Sequence, residues 1–167
     1  KGKRALITGG DSGIGAAAAI AFAREGADVA ITYLPDEQPD ADRVGATIQA
    51  EGRTAIAIPG DLREEAFCKE MVESAVSQLG GLDVLVNNAG RQQFCNNLED
   101  LTTENFDATM KTNVYAPFWV TKAALPHMDK GASIIVTSSV QAFSPSAHLF
   151  DYAQSKAANV AFAQSLA

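Results

Sequence analysis

The sequence predicts an α/β fold, a doubly wound parallel sheet with helices on both faces, and three observations carry that prediction. Short apolar, β-rich runs alternate with longer stretches of helical spacing along the whole chain. The runs are apolar at nearly every position, as strands covered on both faces must be, and do not alternate with polar residues. The unusual residue clusters all fall just beyond the carboxyl ends of those runs, the edge where open sheets of this kind bind ligands.

The first strand is predicted at Ala5 to Thr8, and it runs into a glycine turn followed by a helix at Ile14 to Arg24. A second strand, Val29 to Tyr33, is followed by Leu34 to Asp40, whose prolines and acids read as a polar, solvated loop. Helical spacing resumes at Asp42 to Glu51, then comes a strand at Ala55 to Ile58 and a helix at Glu64 to Leu79. A fourth strand at Val84 to Val86 precedes a long helical stretch, Glu104 to Met128, with a break or bend within it. The fifth strand is Ile134 to Val136, and a last helix begins near Tyr152. No repeat or low-complexity tract interrupts the series, so residues 1–167 read as a single domain.

Composition narrows the function classes. A net charge of −7 from 13 basic and 20 acidic residues argues against a nucleic-acid partner, which needs clustered Lys and Arg. The longest mainly apolar stretch, near Ala16 to Ala23, is too short for a bilayer, and no export signal is visible, so no membrane association and a cytoplasmic location are expected. Cys68 and Cys95 lack metal-ligand spacing and read as structural thiols in a reducing compartment, with no metal.

Two motifs carry chemistry. Thr8-Gly9-Gly10-Asp11-Ser12-Gly13-Ile14-Gly15 joins the first strand to the first helix. Glycines at 9, 13 and 15 permit a tight turn, close approach of a pyrophosphate and close helix–strand packing, and the helix amino end offers free N–H groups to phosphate. No Gly-Lys-Ser/Thr follows, which excludes a P-loop. Near the other end, Tyr152 and Lys156 are four apart and share a helix face. A neighbouring ammonium favours phenolate, which fits Tyr152 to exchange a proton with a carbonyl or alcohol. Ser139, at the end of the fifth strand, is placed to hydrogen-bond a substrate oxygen at the same edge.

Taken together, the glycine turn, Asn87-Asn88-Ala89-Gly90, Asn113, Ser139 and Tyr152-x-x-x-Lys156 resemble the short-chain dehydrogenase/reductase family, with its Rossmann-type fold. The resemblance implies that Ser139 polarises the substrate, Tyr152 transfers the proton, and Lys156 holds the nicotinamide ribose. Asn113 would anchor a water linking Lys156 to solvent. Asp61 and Leu62 would face the adenine, with Asn88, Ala89 and Gly90 lining the adenosine and ribose side. Tyr33 stands where an NAD-specific member carries a carboxylate, so NADP is expected with a weak preference over NAD. Further segments, among them Tyr33-Leu34-Pro35, Pro59-Gly60-Asp61-Leu62 and Leu149-x-Asp151-Tyr152, resemble the bacterial branch of glucose/ribitol dehydrogenases, general-stress oxidoreductases and aldehyde reductases. That branch implies small aldehydes, polyols or sugars as substrates.

The chain departs from the family in length. Members continue beyond the point matching Ala167 with two more strands, so the sequence reads as an amino-terminal portion, truncated after the fifth strand and the start of the following helix. The alternative is a catalytically silent nucleotide-binding or subunit-interaction module, against which the presence of Asn113, Ser139, Tyr152 and Lys156 argues. Phe118 and Trp119 lie on a helix that in this family commonly forms subunit contacts, so a homo-oligomer, dimer or tetramer, is expected. His127 and His148 are read without a catalytic role, the latter as a solvated loop residue that could border the substrate cleft.

Overall fold

The apolar runs form five strands in a computed structural model that describes all 167 residues. They are β1 (Arg4–Thr8), β2 (Asp28–Tyr33), β3 (Ala55–Pro59), β4 (Val84–Asn87) and β5 (Ser133–Val136). All pairings are parallel, in the order β3-β2-β1-β4-β5. The order reverses between β1 and β4, which opens a crevice beyond their carboxyl ends. Six α-helices connect and cover the sheet: α1 (Gly13–Arg24), α2 (Gln38–Ala50), α3 (Glu65–Leu79), α4 (Thr103–Met110), α5 (Ala116–Ala124) and α6 (Phe150–Leu166).

Successive strand residues point to opposite faces, so β1 serves two cores. Leu6 and its β4 neighbour Leu85 pack against Met71 and Val72 of α3 and Val120 of α5. Ile7, Ile31 and Val86 pack instead against Ala19 and Ala23 of α1 and Val44 and Ile48 of α2. Each large side chain fully withdrawn from water here contributes about 1.5–3 kcal/mol, and the alanine-rich face of α1 lets its axis approach the sheet closely. No helix is long and apolar enough to cross a membrane.

Two segments differ in detail from the sequence expectation. The stretch Leu34 to Asp40 is not a loop throughout: Pro35–Glu37 forms a 3-10 turn and α2 begins at Gln38. The Leu34 N–H donates to the Glu37 carboxylate (3.2 Å) and the Tyr33 hydroxyl to Gln38 Oε1 (2.7 Å). Pro39 sits in the first helical turn, where its missing N–H leaves nothing unpaired, and Asp40 favours the positive helix end. The expected break in the long helix is a π turn, Lys111–Tyr115, between α4 and α5, with a closing 3-10 turn at Leu125–His127. Its cause is Pro117, which cannot donate to the carbonyl of Asn113 four residues earlier and crowds it, so the helix widens there.

At the amino ends of β1 and β4, remote from the crevice, Arg4 Nε donates to Asp83 Oδ2 (2.8 Å), and the Arg4 N–H does so as well (2.9 Å). The guanidinium hydrogen bond holds the Asp83 carboxyl well down, at about 2.

Candidate active site

The crevice is a cleft of about 820 Å³ running from the glycine turn to Tyr152 and Lys156. At its floor, hydrogen bonds join the strand ends. Thr8 Oγ1 accepts the N–H groups of Asn88 (3.0 Å) and Ala89 (3.1 Å). The Asn88 side-chain amide donates to the carbonyls of Thr8 and Gly9, and its Oδ1 accepts from the Thr137 hydroxyl. One asparagine thus ties β1 and β4 to the residue after β5.

The glycine turn is shaped by contacts that no other residue permits. A Cβ on Gly15 would overlap the Gly9 carbonyl oxygen and crowd the Asn88 amide. Gly13 has φ +52° and nothing within 4 Å of the place its Cβ would occupy. Helix α1 has no side-chain cap and no carboxylate in its first turn. Its terminal N–H groups therefore face an open cradle suited to a phosphate. Asp11, Ser12 and Ile14 complete that wall.

At the β2–β3 end the cleft is walled by Thr32, Tyr33, Glu37, Asp61, Leu62 and Arg63. Asp61 Oδ2 and the Arg63 guanidinium are paired at 2.6 Å, which holds the Asp61 carboxyl below its ordinary value and raises Arg63. The Asp61 carboxylate is therefore already engaged, and Leu62 belongs largely to the core beneath. Two buried polar atoms of residues lining the cleft, Asp11 Oδ2 at the glycine turn and Thr32 Oγ1 at β2, have no protein partner. A dinucleotide fits these features: phosphate at the bare helix end, ribose hydroxyls beside orphaned polar atoms.

The β4–β5 end is built from side chains. Lys156, 3% exposed, donates from Nζ to the Thr137 carbonyl (2.7 Å), and Nζ lies 5.6 Å from the centroid of the Tyr152 ring. Burial pushes the Lys156 ammonium below its ordinary value. The Thr137 bond uses one of its three protons. Gly90 lies alongside, since a Cβ there would sit 3.4 Å from Nζ. Asn113 does not line the cleft. It is fully buried behind the wall, where Nδ2 donates to the Arg91 carbonyl (2.8 Å) and Ser155 Oγ (2.9 Å) while Oδ1 accepts the Arg91 N–H (2.7 Å). Ser139 is half-buried at the end of β5 and outside the cleft lining. Its Oγ accepts the Gln141 N–H (3.2 Å), which leaves the hydroxyl proton free to donate. His148 is exposed, as the sequence indicates, and stacks on Phe94 at 4.7 Å.

Sequence reasoning missed Arg91, Arg63, Glu37 and Thr32. Arg91 directly follows the Asn-Asn-Ala-Gly motif, and a cation without a nearby acid in a strand-end loop was the available signal. Arg63 and Glu37 gave none, because only the fold brings their two loops to one wall.

The likeness to known proteins runs through both ends of this cleft. A relative from Bacillus subtilis, the oxidoreductase YhxD, is 58% identical over 161 residues, which is 96% of this chain and 54% of the relative. The NADPH-dependent aldehyde reductase 1 of Arabidopsis thaliana is 42% identical over the whole chain and 60% of its own length. The chain thus spans little more than half of these curated relatives. A crystal structure of a short chain dehydrogenase from Burkholderia cenocepacia in complex with NADP superimposes with a TM-score of 0.96 at 44% identity, covering 99% of this chain and 67% of that one. A family model for short chain dehydrogenases matches residues 3–167, from before the glycine turn to beyond Lys156. With sequence, fold and family model agreeing over the same residues, the chain belongs to the short-chain dehydrogenase family.

Proposed function

We propose that this chain provides the dinucleotide site and the proton-transfer group of an NAD(P)-dependent oxidoreductase that interconverts a carbonyl and an alcohol. The observation that carries the reading is the placement of Tyr152 and Lys156 in one cleft with the glycine turn. A nicotinamide dinucleotide, when bound, supplies or accepts the hydride. The amino end of α1 holds its phosphates, and Lys156, with protons left over from the Thr137 bond, holds the ribose hydroxyls. Ser139 donates its free O–H to the substrate oxygen, and Tyr152 gives that oxygen its proton in the reductive direction or takes it in the oxidative one. The Asn113 backbone carbonyl, whose i+4 position is Pro117 and carries no N–H, holds a water that links Lys156 to solvent.

NADP is accepted with a weak preference over NAD. The end of β2 carries Tyr33 in place of a carboxylate, while Glu37 and the Asp61–Arg63 pair leave little net attraction for a 2′-phosphate. Small aldehydes, polyols or sugars are the substrate class, in line with the aldehyde reductase relative. A homo-oligomer forms through α5 and the turns that flank it, where Tyr115, Phe118 and Leu125 are each 48% exposed. A cytoplasmic location accords with two buried, unpaired cysteines. The test is oxidation of NADPH and NADH by the full-length protein, followed at 340 nm, against a panel of short aldehydes and aldoses, with the reverse reaction on polyols. Turnover with at least one of these classes is expected, and none with any carbonyl or alcohol overturns the reading.

A further inference from the structure

Arg91 is the one guanidinium in the chain that lines the cleft, is half-buried and forms no ion pair. Its four Nη hydrogen bonds all go to uncharged acceptors: Nη1 to Thr109 Oγ1 (2.7 Å) and the Asn105 carbonyl (3.2 Å), Nη2 to Gln93 Oε1 and Asn105 Oδ1 (both 2.8 Å). The fork therefore grips α4 from the loop that follows β4. At the same residue the backbone makes a reciprocal pair with the Asn113 side chain, N–H to Oδ1 and carbonyl from Nδ2. The Asn113 amide continues to Ser155 Oγ, and that hydroxyl donates to the Tyr152 carbonyl (2.7 Å). A continuous series of hydrogen bonds thus leads from the Gly90-Arg91 wall through the π turn to the helical turn carrying Tyr152 and Lys156.

We propose that Arg91 is a positioning residue, which clamps the π turn of Asn113 to the cleft wall and so fixes Tyr152 and Lys156 relative to the bound dinucleotide. The inference rests on the proposed carbonyl–alcohol chemistry. The reason for an arginine is geometric: a planar fork satisfies four acceptors on two elements at once, which a lysine ammonium cannot. A π turn opened by Pro117 interrupts the regular hydrogen-bond ladder of the long helix, and without an external brace Asn113 and the turn of α6 beside it would drift. A misplacement of about 1 Å costs on the order of 10²-fold in rate, so the brace is read in turnover.

The experiment compares Arg91→Met, Arg91→Lys and the milder Asn105→Ala in the full chain, with Tyr152→Phe measured alongside. Readouts are the melting temperature, the dissociation constant for NADPH from the fluorescence of the bound dihydronicotinamide, and kcat and KM for the best carbonyl. The expected result is a fall in kcat of about tenfold or more for both Arg91 variants. A smaller fall of the same kind is expected for Asn105→Ala, with NADPH affinity and carbonyl KM changed less than about threefold. In combination with Asn113→Ala, Arg91→Met should add little further loss, because both cut one brace, whereas independent structural damage would multiply. Full activity of Arg91→Lys overturns the clamp, since charge without the fork would suffice. Multiplicative losses in the double variant overturn it as well. Should Arg91→Met not fold, Asn105→Ala decides alone, and unchanged kcat there overturns the proposal. Undiminished turnover of Tyr152→Phe instead defeats the proposed chemistry itself.

Discussion

The two ends of the cleft are built on different principles. At the glycine turn the backbone does the work: a carbonyl that tolerates no Cβ nearby, an uncapped helix end and an open cradle at Gly13. At the β4–β5 end, side chains do it: the Asn113 amide ties the Arg91 backbone to Ser155 Oγ and the Lys156 ammonium binds the Thr137 carbonyl, by hydrogen bonds of 2.7 to 2.9 Å. Charge divides in the same way. Asp11, Glu37 and Asp61 line the β2–β3 half with only Arg63 against them, whereas Arg91 and Lys156 face the other half without a carboxylate partner. Under the proposed function the difference teaches that binding a dinucleotide asks for space and oriented N–H groups, while moving a proton asks for a chemically defined group at a fixed place.

The strongest way to separate the ends is at Tyr152. Tyr152→Phe keeps the ring and removes the transferable proton, so kcat should fall by about 10²–10⁴-fold. NADPH affinity, measured by fluorescence titration, should remain within about twofold, because the glycine turn is untouched. Lys156→Ala should lower both, since the proposed mechanism gives its buried ammonium the proton path and the ribose together. Comparable loss of cofactor binding in Tyr152→Phe would show that the two ends are not separable.

The reverse experiment uses Gly15. A single methyl there overlaps the Gly9 carbonyl, so Gly15→Ala must displace the turn at a cost of about 1–3 kcal/mol. A weakening of NADPH binding by at least tenfold is expected, visible in the same titration, together with a lower melting temperature. Gly13→Ala meets no atom but must hold φ near +52°, a conformation costing about 1–2 kcal/mol for a residue with a Cβ. A Gly15→Ala protein that binds NADPH normally would contradict the backbone account of this end.

A third test lies at the amino edge of the sheet, away from both ends. The folded-state value of Asp83, about 2, is below the ordinary carboxylate range because of its hydrogen bonds to Arg4. A depressed carboxyl stabilises the fold at pH values above its unfolded value, and that contribution is lost as pH falls from about 4 toward about 2. The Asp83 side chain is 20% exposed and that of Arg4 30%, so solvent screening limits the contribution to about 1 kcal/mol. Asp83→Asn should lower stability by about that amount at pH 7 in urea unfolding, with the difference vanishing near pH 2 and kcat unchanged. A loss of activity without loss of stability would tie this edge to the site.

How much of this was legible in the sequence follows from the same division. The strands announced themselves by apolar runs of three to five residues, because a buried parallel sheet leaves no solvent face to mark with polar side chains. The glycine turn and the Tyr152–Lys156 pair were visible because each is local: their function depends on spacing within one segment. The helical character of Pro35 to Asp40 was hidden by prolines and acids that fit a helix start as well as a loop. Arg91 was hidden because its partners are at Asn105, Thr109 and Asn113, on a helix whose approach to the loop only the fold creates. The π turn had a local sign in Pro117, but that the helix widens there and continues beyond it needed the fold to be seen on both sides.

The smallest effect is expected at the β2–β3 wall, where the proposed function puts the 2′ position of the adenosine ribose. Arg63 is the one cation there, and its guanidinium is already held by Asp61 at 2.6 Å, with the two side chains 48% and 32% exposed. An ion pair this open is worth at most about 1 kcal/mol, so exchanging the carboxylate for a 2′-phosphate gains little either way. Arg63→Ala should therefore lower kcat/KM for NADPH by about two- to fivefold and leave NADH nearly unchanged, narrowing a weak preference. Glu37→Gln should move the ratio the other way by a similar factor, because it removes a negative charge from the same wall. Steady-state kinetics with both cofactors checks the pair. A change beyond about tenfold in either variant would mean that this end, too, depends on particular side chains and not on the backbone cradle alone.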